Sequence, residues 1–212
     1  MSAVAVVYNP RGKKLTTRGR VMEITGIILL VVLVVVVIYL VMVYNQLVQI
    51  KHNVSKAWAN IDVLLKQRHD ELPKLIETCK QYMKFEQDTL TRVMQARSGV
   101  SDAREQQNIG ALGRAEGELR GAVGRLFAVA EAYPDLKTNQ TFLHLQGRIS
   151  SLENGIADRR EFYNESVNIN NVRIEQFPDS IVAALLSFRP AQMLRFSAQE
   201  TNDVSVKELF QA

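Results

Sequence analysis

From Ile24 to Tyr44 the chain reads ITGIILLVVLVVVVIYLVMVY, 21 residues without one charged side chain. A helix needs roughly 20 apolar residues to cross the hydrocarbon core of a bilayer, so this run has the length a membrane span demands. A secretory signal fits less well, because its apolar stretch is about 7 to 15 residues and ends in a small-residue cleavage site. The continuation YLVMVYNQLVQIKH has no such site. A buried core helix is disfavoured by the same length rule. The run therefore reads as an uncleaved signal anchor over 24–44, with Tyr39 and Tyr44 near one interface, where amphipathic rings prefer to sit.

Lys and Arg resist translocation and acidic residues count for little, so the short flanks set the orientation. Arg11, Lys13, Lys14, Arg18 and Arg20 precede the run, whereas a comparable stretch after it holds only Lys51 and Lys56. The expected topology puts residues 1–23, a basic tail, in the cytoplasm and everything from about Asn45 onward on the far side. In a bacterium that is the periplasmic or extracytoplasmic face of the inner membrane.

The same tail accounts for the basic balance of the whole chain, 26 basic against 22 acidic residues. Setting its five charges aside leaves 21 against 22. The large domain is nearly neutral, and no nucleic-acid partner is expected, since that would need Lys and Arg clustered on one face. A basic cluster beside a span reads instead as a topology signal and a contact for anionic lipid. Cys79 is the lone cysteine; its neighbours Ile76 and Met83 suggest a small buried hydrophobe rather than a reactive thiol.

After Asn45 there are no alternating apolar runs of the kind strands show, and the apolar residues recur by threes and fours as on helices. Leu47, Ile50, Val54, Ala57, Ile61 and Leu64 form the first stripe. Neither Gly nor Pro occurs between Gly26 and Pro73, so the span and the first soluble helix can form one rod. At RHDELP, Pro73 disfavours helical geometry at Leu72 and suits the first turn of a new helix, with Asp70 as its cap. The first hairpin is expected there, with a continuous kinked helix as the alternative.

The second helix carries Leu75, Ile76, Cys79, Met83, Leu90, Val93 and Met94, and is expected to end at Ser98-Gly99, where Gly can take the left-handed cap conformation. Ser101 to Asn108 reads as a loop or a frayed helix start. A third helix passes through Leu112, Leu119, Val123, Leu126 and Ala130 to about Tyr133, where Pro134 breaks it. Thr138 or Asn139 can cap a fourth, running through Phe142, Leu145, Ile149, Leu152, Ile156, Tyr163, Val167 and Ile174 to Pro178. A short helix around Ile181 to Phe188 follows, and the last residues, 197–212, are expected to be loosely ordered. The fold class is all-α: a single N-terminal transmembrane helix, then an antiparallel four-helix bundle over 45–196.

Gly110, Gly113, Gly117, Gly121 and Gly124 concentrate in the third helix, at about 1 kcal/mol each relative to Ala. That cost suggests close approach of another helix, within the bundle or from a second subunit; the alternative is a fraying start at Gly110 and Gly113 with the rest incidental. Asp62, Arg68, Glu86, Arg97, Glu116 and Asn170 fall on or beside the apolar stripes, where charge must be paired. They read as interhelical ion pairs that fix register rather than as a carboxylate metal site, because that class needs Glu-x-x-His motifs. His52, His69 and His144 are scattered. No G-x-S-x-G, S-x-x-K, Walker loop, H-E-x-x-H or G-x-G-x-x-G occurs, so no catalytic, cofactor-binding or metal residue is assigned. Asn53, Asn139 and Asn164 open glycosylation-type triplets, a pattern common by chance.

The blocks VSKAWANIDVLLKQRHDELPKLIETCKQYMKFE, VAEAYPDLKTNQTFLHLQ, ENGIADRREFYNESV and QFPDSIVA resemble the LemA family, in order and over about Tyr44 to Phe196. The resemblance implies a membrane helix followed by an antiparallel four-helix bundle, and implies no enzymatic activity. Its motif positions here, among them Trp58, Asp62, Arg68, Pro73, Arg97, Glu131, Pro134, Asp135, Tyr163, Asn164 and Pro178, read as core, ion-pair and turn residues. Two features depart from the family pattern. Asn170-Asn171 stands where a second Tyr-Asn pair is usual, and the tail before the span is longer than is common.

The leading expectation is a membrane scaffold or adaptor, in contact with lipid and with protein partners or copies of itself. A small-ligand sensor is second. A hydrolase or metal enzyme built on Asp62, Glu86 and Glu116 is third.

Overall fold

A computed structural model describes residues 17–195 of the chain. All regular structure among them is helical: α1 (Thr17–Tyr82), α2 (Gln87–Glu105), α3 (Ile109–Ala130), α4 (Pro134–Lys137), α5 (Gln140–Glu175) and α6 (Asp179–Leu185). Arg11, Lys13 and Lys14 of the basic tail, and the C-terminal segment 197–212, lie outside the described residues. Two compact units divide the chain at Gln46–Leu47, and α1 contributes to both.

From Met22 to Met42, in the first unit, the large apolar side chains of α1 are exposed around the whole helix, for example Ile27 at 63%, Leu33 at 58% and Val37 at 51%. Among the described residues, α1 is the one helix long and apolar enough to cross a membrane.

In the second unit, α1 does not stop at Pro73 but continues to Tyr82. The expected hairpin is therefore corrected: of the two alternatives, the helix that continues through Pro73 is the one found. Leu72, Leu75, Ile76 and Cys79 carry the apolar stripe through the proline and are all buried. Burying a Leu or Ile side chain stabilises by about 1.5 to 3 kcal/mol, enough together to outweigh a proline's local cost of about 3 kcal/mol. Asp70 is thus an interior helix residue rather than a cap.

α2 begins at Gln87 and runs through Ser98-Gly99 to Glu105, a second correction. Gly99 does not take a positive φ; Gln107 does, at 52°. There the Asn108 N–H donates to the Ala103 carbonyl and the Gln107 N–H to the Arg104 carbonyl, the paired bonds that close a helix end around a left-handed residue. Asn108 then caps α3, its side chain accepting from the Ala111 N–H at 3.0 Å. α3 ends before Pro134, as expected, and Asn139 rather than Thr138 caps α5 by accepting from the Phe142 N–H.

One apolar core joins α1, α2, α3 and α5, with Ile61, Leu65, Val93, Leu119, Leu126, Ile149 and Val167 among its buried members. Four contacts fix how α5 runs along α1: Trp58 with Tyr163, rings edge to face at 5.7 Å; Leu64 with Gly155; Glu71 with Arg148 at 3.1 Å; and Tyr82 with Asn139 at 3.0 Å. Each step along α1 is matched by a step back along α5, so the two helices are antiparallel in constant register.

Beyond α6 the chain forms an irregular strap over residues 188–195. Leu194 of this strap is fully buried in the core.

Candidate functional site

The polar residues that fall on apolar stripes do not converge on one site. Asp62, Arg68, Arg97 and Glu116 are each tied to a partner on another helix. Arg68 of α1 directs Nη2 at both carboxylate oxygens of Glu116 of α3, at 2.5 and 2.7 Å, with both side chains buried. Asp62, one and a half turns earlier, receives Arg104 of α2 through two guanidinium nitrogens, the Nη2 contact being 2.9 Å. Those hydrogen bonds hold the Asp62 carboxyl below the usual carboxylate range. Glu86 accepts from the Tyr133 hydroxyl at 3.4 Å. Asp62, Glu86 and Glu116 are therefore separately engaged, and the arrangement a carboxylate enzyme would need is not formed by them.

Arg97 does something the sequence pattern did not reveal. Pro73 has no N–H, so the carbonyl four residues back, that of His69, loses its helical donor. Arg97 Nε supplies one from α2 at 2.9 Å, and its Nη2 lies 2.5 Å from His69 Nε2. Burial, reinforced by the Arg97 charge, pushes the His69 pKa down, which favours the neutral ring that can accept from a guanidinium. The cost of continuing α1 through a proline is thus offset by a residue on the neighbouring helix.

Glu153 of α5 reaches the same interior as Arg68 and Glu116. Burial raises its pKa, only partly opposed by Arg68 and Arg120, and the Glu116 charge adds to the rise. Cys79 behaves as a core hydrophobe: it is fully buried, and desolvation pushes its thiol up to about 12.

Two asparagines hold the strap. Asn164 donates to the Leu194 carbonyl at 3.0 Å and accepts from the Leu194 N–H at 2.8 Å. Asn171, two turns further along α5, does the same to Ala191, both at 2.9 Å. Tyr163 adds a hydrogen bond from its hydroxyl to the Gln192 carbonyl. Asn170, in place of a second tyrosine, is buried and donates to Asn171 Oδ1 at 3.1 Å, orienting that clamp. The repeat Tyr163-Asn164 and Asn170-Asn171 is a strap-binding device.

The strap also explains two of the five glycines of this pattern. A Cβ on Gly113 would sit 2.0 Å from the Arg195 carbonyl oxygen, and one on Gly110 would meet the Gln192 side chain at 3.2 Å. At Gly121 and Gly124 nothing lies within 4 Å. The close approach is by the strap of the same chain, its backbone at Gly113 and the Gln192 side chain at Gly110, and not by another helix.

An open cleft of about 910 Å³ lies between α1 and α5, lined by Leu64, Gln67, His144, Arg148, Ser151 and Asp158 among others. No group of His, Cys, Asp or Glu among the described residues is placed to hold a metal ion.

Among the described residues, fold and pairings define an all-helical protein with one helix apolar enough for a membrane and with ion pairs joining helices across the core. The chain belongs to the LemA family, whose model matches residues 57–207. The magnetosome protein MamQ 2 of Paramagnetospirillum magneticum is 25% identical over 191 residues, covering 79% of this chain and 70% of that protein. MamQ of Magnetospirillum gryphiswaldense is 24% identical with the same coverage. Protein LemA of Metamycoplasma hominis is 28% identical over 167 residues, 78% of this chain and 74% of that protein.

Proposed function

We propose that this protein is a single-pass membrane-anchored scaffold: a non-enzymatic antiparallel four-helix bundle of α1, α2, α3 and α5 that presents a surface to protein partners or to copies of itself. The observation that carries this reading is the pairing of Asp62, Arg68, Arg97 and Glu116 across helices. The polar groups that could have formed a reaction site are used to fix helix register. The exposed apolar length of α1 supports anchoring in the bacterial inner membrane. The five basic residues before it favour a cytoplasmic tail and a bundle on the periplasmic side. Relatives named for the magnetosome are consistent with work at a membrane.

Crosslinking in native membranes followed by mass spectrometry tests the scaffold, and the expected result is a reproducible partner or a homo-oligomer. A chain that stays monomeric and captures nothing would remove it. Reporters fused before Ile24 and after Ala212 test the topology; activity of the C-terminal reporter in the cytoplasm would invert it.

The cleft between α1 and α5 favours one second reading, a small-ligand sensor. A ligand that raises the melting temperature of the full chain in detergent would support it; a flat response across polar metabolites would count against it.

A further inference from the structure

We propose that the end of the helical domain formed by α6 and the last turn of α5 rests on the lipid surface, with Phe177, Ile181, Leu185 and Leu186 immersed among headgroups and upper acyl chains. The proposal rests on reading Ile24–Tyr44 as a membrane span.

The register of α5 against α1 carries the argument. Tyr82 meets Asn139 and Trp58 meets Tyr163; continued at 1.5 Å per residue on both helices, Val172 comes level with Gln49 and Ile174 with Leu47. The chain leaves α5 at Glu175 and is back at the level of Asn171 when Ala191 is clamped there. Residues 176–190, α6 included, therefore form the cap at this end. Only Asn45 and Gln46 separate Leu47 from Tyr44. Three residue steps span at most about 10 Å in any conformation, so an interface at Tyr44 lies within that distance of Leu47.

The cap has the surface such a position requires. Phe177 and Leu185 are each 77% exposed, Ile181 54% and Leu186 52%, while Val182 and Ala183 on the inner side of α6 are buried. Ile169 and Val172 extend the exposed apolar patch along α5. Asp179, the acidic residue of α6, is buried against Arg173 at 2.5 Å and offers no free charge to the patch. The strap leads away from the cap toward Asn164, so the chain up to Arg195 does not cover it. An amphipathic segment at an interface buries its apolar face about 5 to 10 Å deep, a depth within reach of side chains held this close to the span.

Single-cysteine labelling of the full chain tests the idea. Cys79 is buried with its thiol pushed up to about 12, so the native residue stays unlabelled while an environment-sensitive fluorophore is attached to Ile181→Cys, Leu185→Cys, Phe85→Cys or Val34→Cys. Each variant is reconstituted in vesicles of phosphatidylcholine and phosphatidylglycerol, without nitroxide, with a nitroxide on the upper acyl chain, and with one near the acyl-chain terminus, the last reporting on the mid-span Val34. Phe85, 94% exposed at the opposite end of the domain, controls for exposure, and Val34 for the span.

The expected result is blue-shifted emission, lost on adding nitroxide lipid, at 181 and 185 and not at 85. Quenching at 34 with none at 181 or 185 overturns the proposal and leaves the span standing. A blue shift at 181 and 185 that nitroxide lipid does not touch also overturns it, because a protein surface, such as a second copy, then covers the patch. Absence of quenching at 34 shows that the span reading has failed, and the proposal falls with it.

Discussion

α1 contains two regions of opposite design. From Met22 to Met42 it has no charge after Glu23 and its apolar side chains point outward on every side; from Leu47 to Tyr82 it is amphipathic and buries Arg68 at 2% exposure within its apolar stripe. Both regions share one helical backbone. What differs is the supply of partners: the lower region packs against α3, which brings Glu116 to Arg68, and the upper region presents its apolar side chains to a surrounding solvent. A charge is tolerated in an apolar stripe where another element can pair it, and nowhere else.

Removing the partner should break that contrast most strongly. Glu116→Ala leaves Arg68 buried and unpaired and should cost about 3 to 5 kcal/mol, read from denaturant unfolding of the full chain in detergent. Replacing the pair together, Arg68→Met with Glu116→Leu, should restore most of the loss. If the single and double variants are equally unstable, the pairing argument is wrong.

Placing a charge in the upper region comes next. Val34→Arg should disfavour membrane insertion by about 2.5 to 3.5 kcal/mol, measured as the inserted fraction in a translocation assay. Val63→Arg, at a comparable 55% exposure against 47% for Val34, should change stability by no more than about 0.5 kcal/mol. Equal exposure with unequal tolerance separates a lipid-facing side chain from a water-facing one.

Within the lower region, Arg97→Ala removes the donor from the His69 carbonyl and should cost about 1 to 3 kcal/mol. In a Pro73→Ala background the helix supplies its own N–H, so the same change should cost much less; an unchanged penalty would refute the compensation. Gly113→Ala drives a Cβ into the Arg195 carbonyl and should destabilise by about 1 to 3 kcal/mol, with faster hydrogen exchange at Ala191 and Leu194 as the strap lifts. Gly121→Ala, with open space around it, should stabilise by up to about 1 kcal/mol.

The smallest effect concerns pH. Burial raises the folded-state pKa of Glu153 above its ordinary 4.5, so the folded state holds this proton more tightly than the unfolded chain does. That contribution is fully present below the ordinary value and is lost as pH rises through the raised one. Glu153→Gln should flatten this decline in a series of unfolding midpoints from acidic to neutral pH. An identical slope in both proteins would mean that Glu153 ionises normally.

Helix content, the apolar run, the Pro134 break and the Asn139 cap were legible because each rests on a local signal: spacing, length, a missing donor, a side-chain acceptor. The misplaced helix ends have equally definite causes. Pro73 reads as a break because its local penalty is visible in sequence, whereas the burial of Leu72 and Leu75 and the donor from Arg97 arise from distant residues. Gly99 was read as a cap because glycine favours positive φ, yet Gln107 and Ser187 are the residues found there. Backbone bonds to Ala103 and Ala183 hold those two turns, and they leave no mark on residue type. In sequence Asn170 stands out as a polar residue beside an apolar stripe and Asn171 only as a departure from the family pattern; their role depends on the strap that lies across α5.

Sequence alone determined that this chain is helical, that one segment suits a bilayer and that its polar stripe residues need partners, since periodicity and apolar length are properties of neighbouring residues. Which partner each charge takes, why Gly113 must lack a side chain, and that α6 comes level with the start of the domain were decided only by tertiary structure. Those facts depend on residues about 30 to 130 positions apart in the chain, whose approach is set by packing of the whole core and by no local preference.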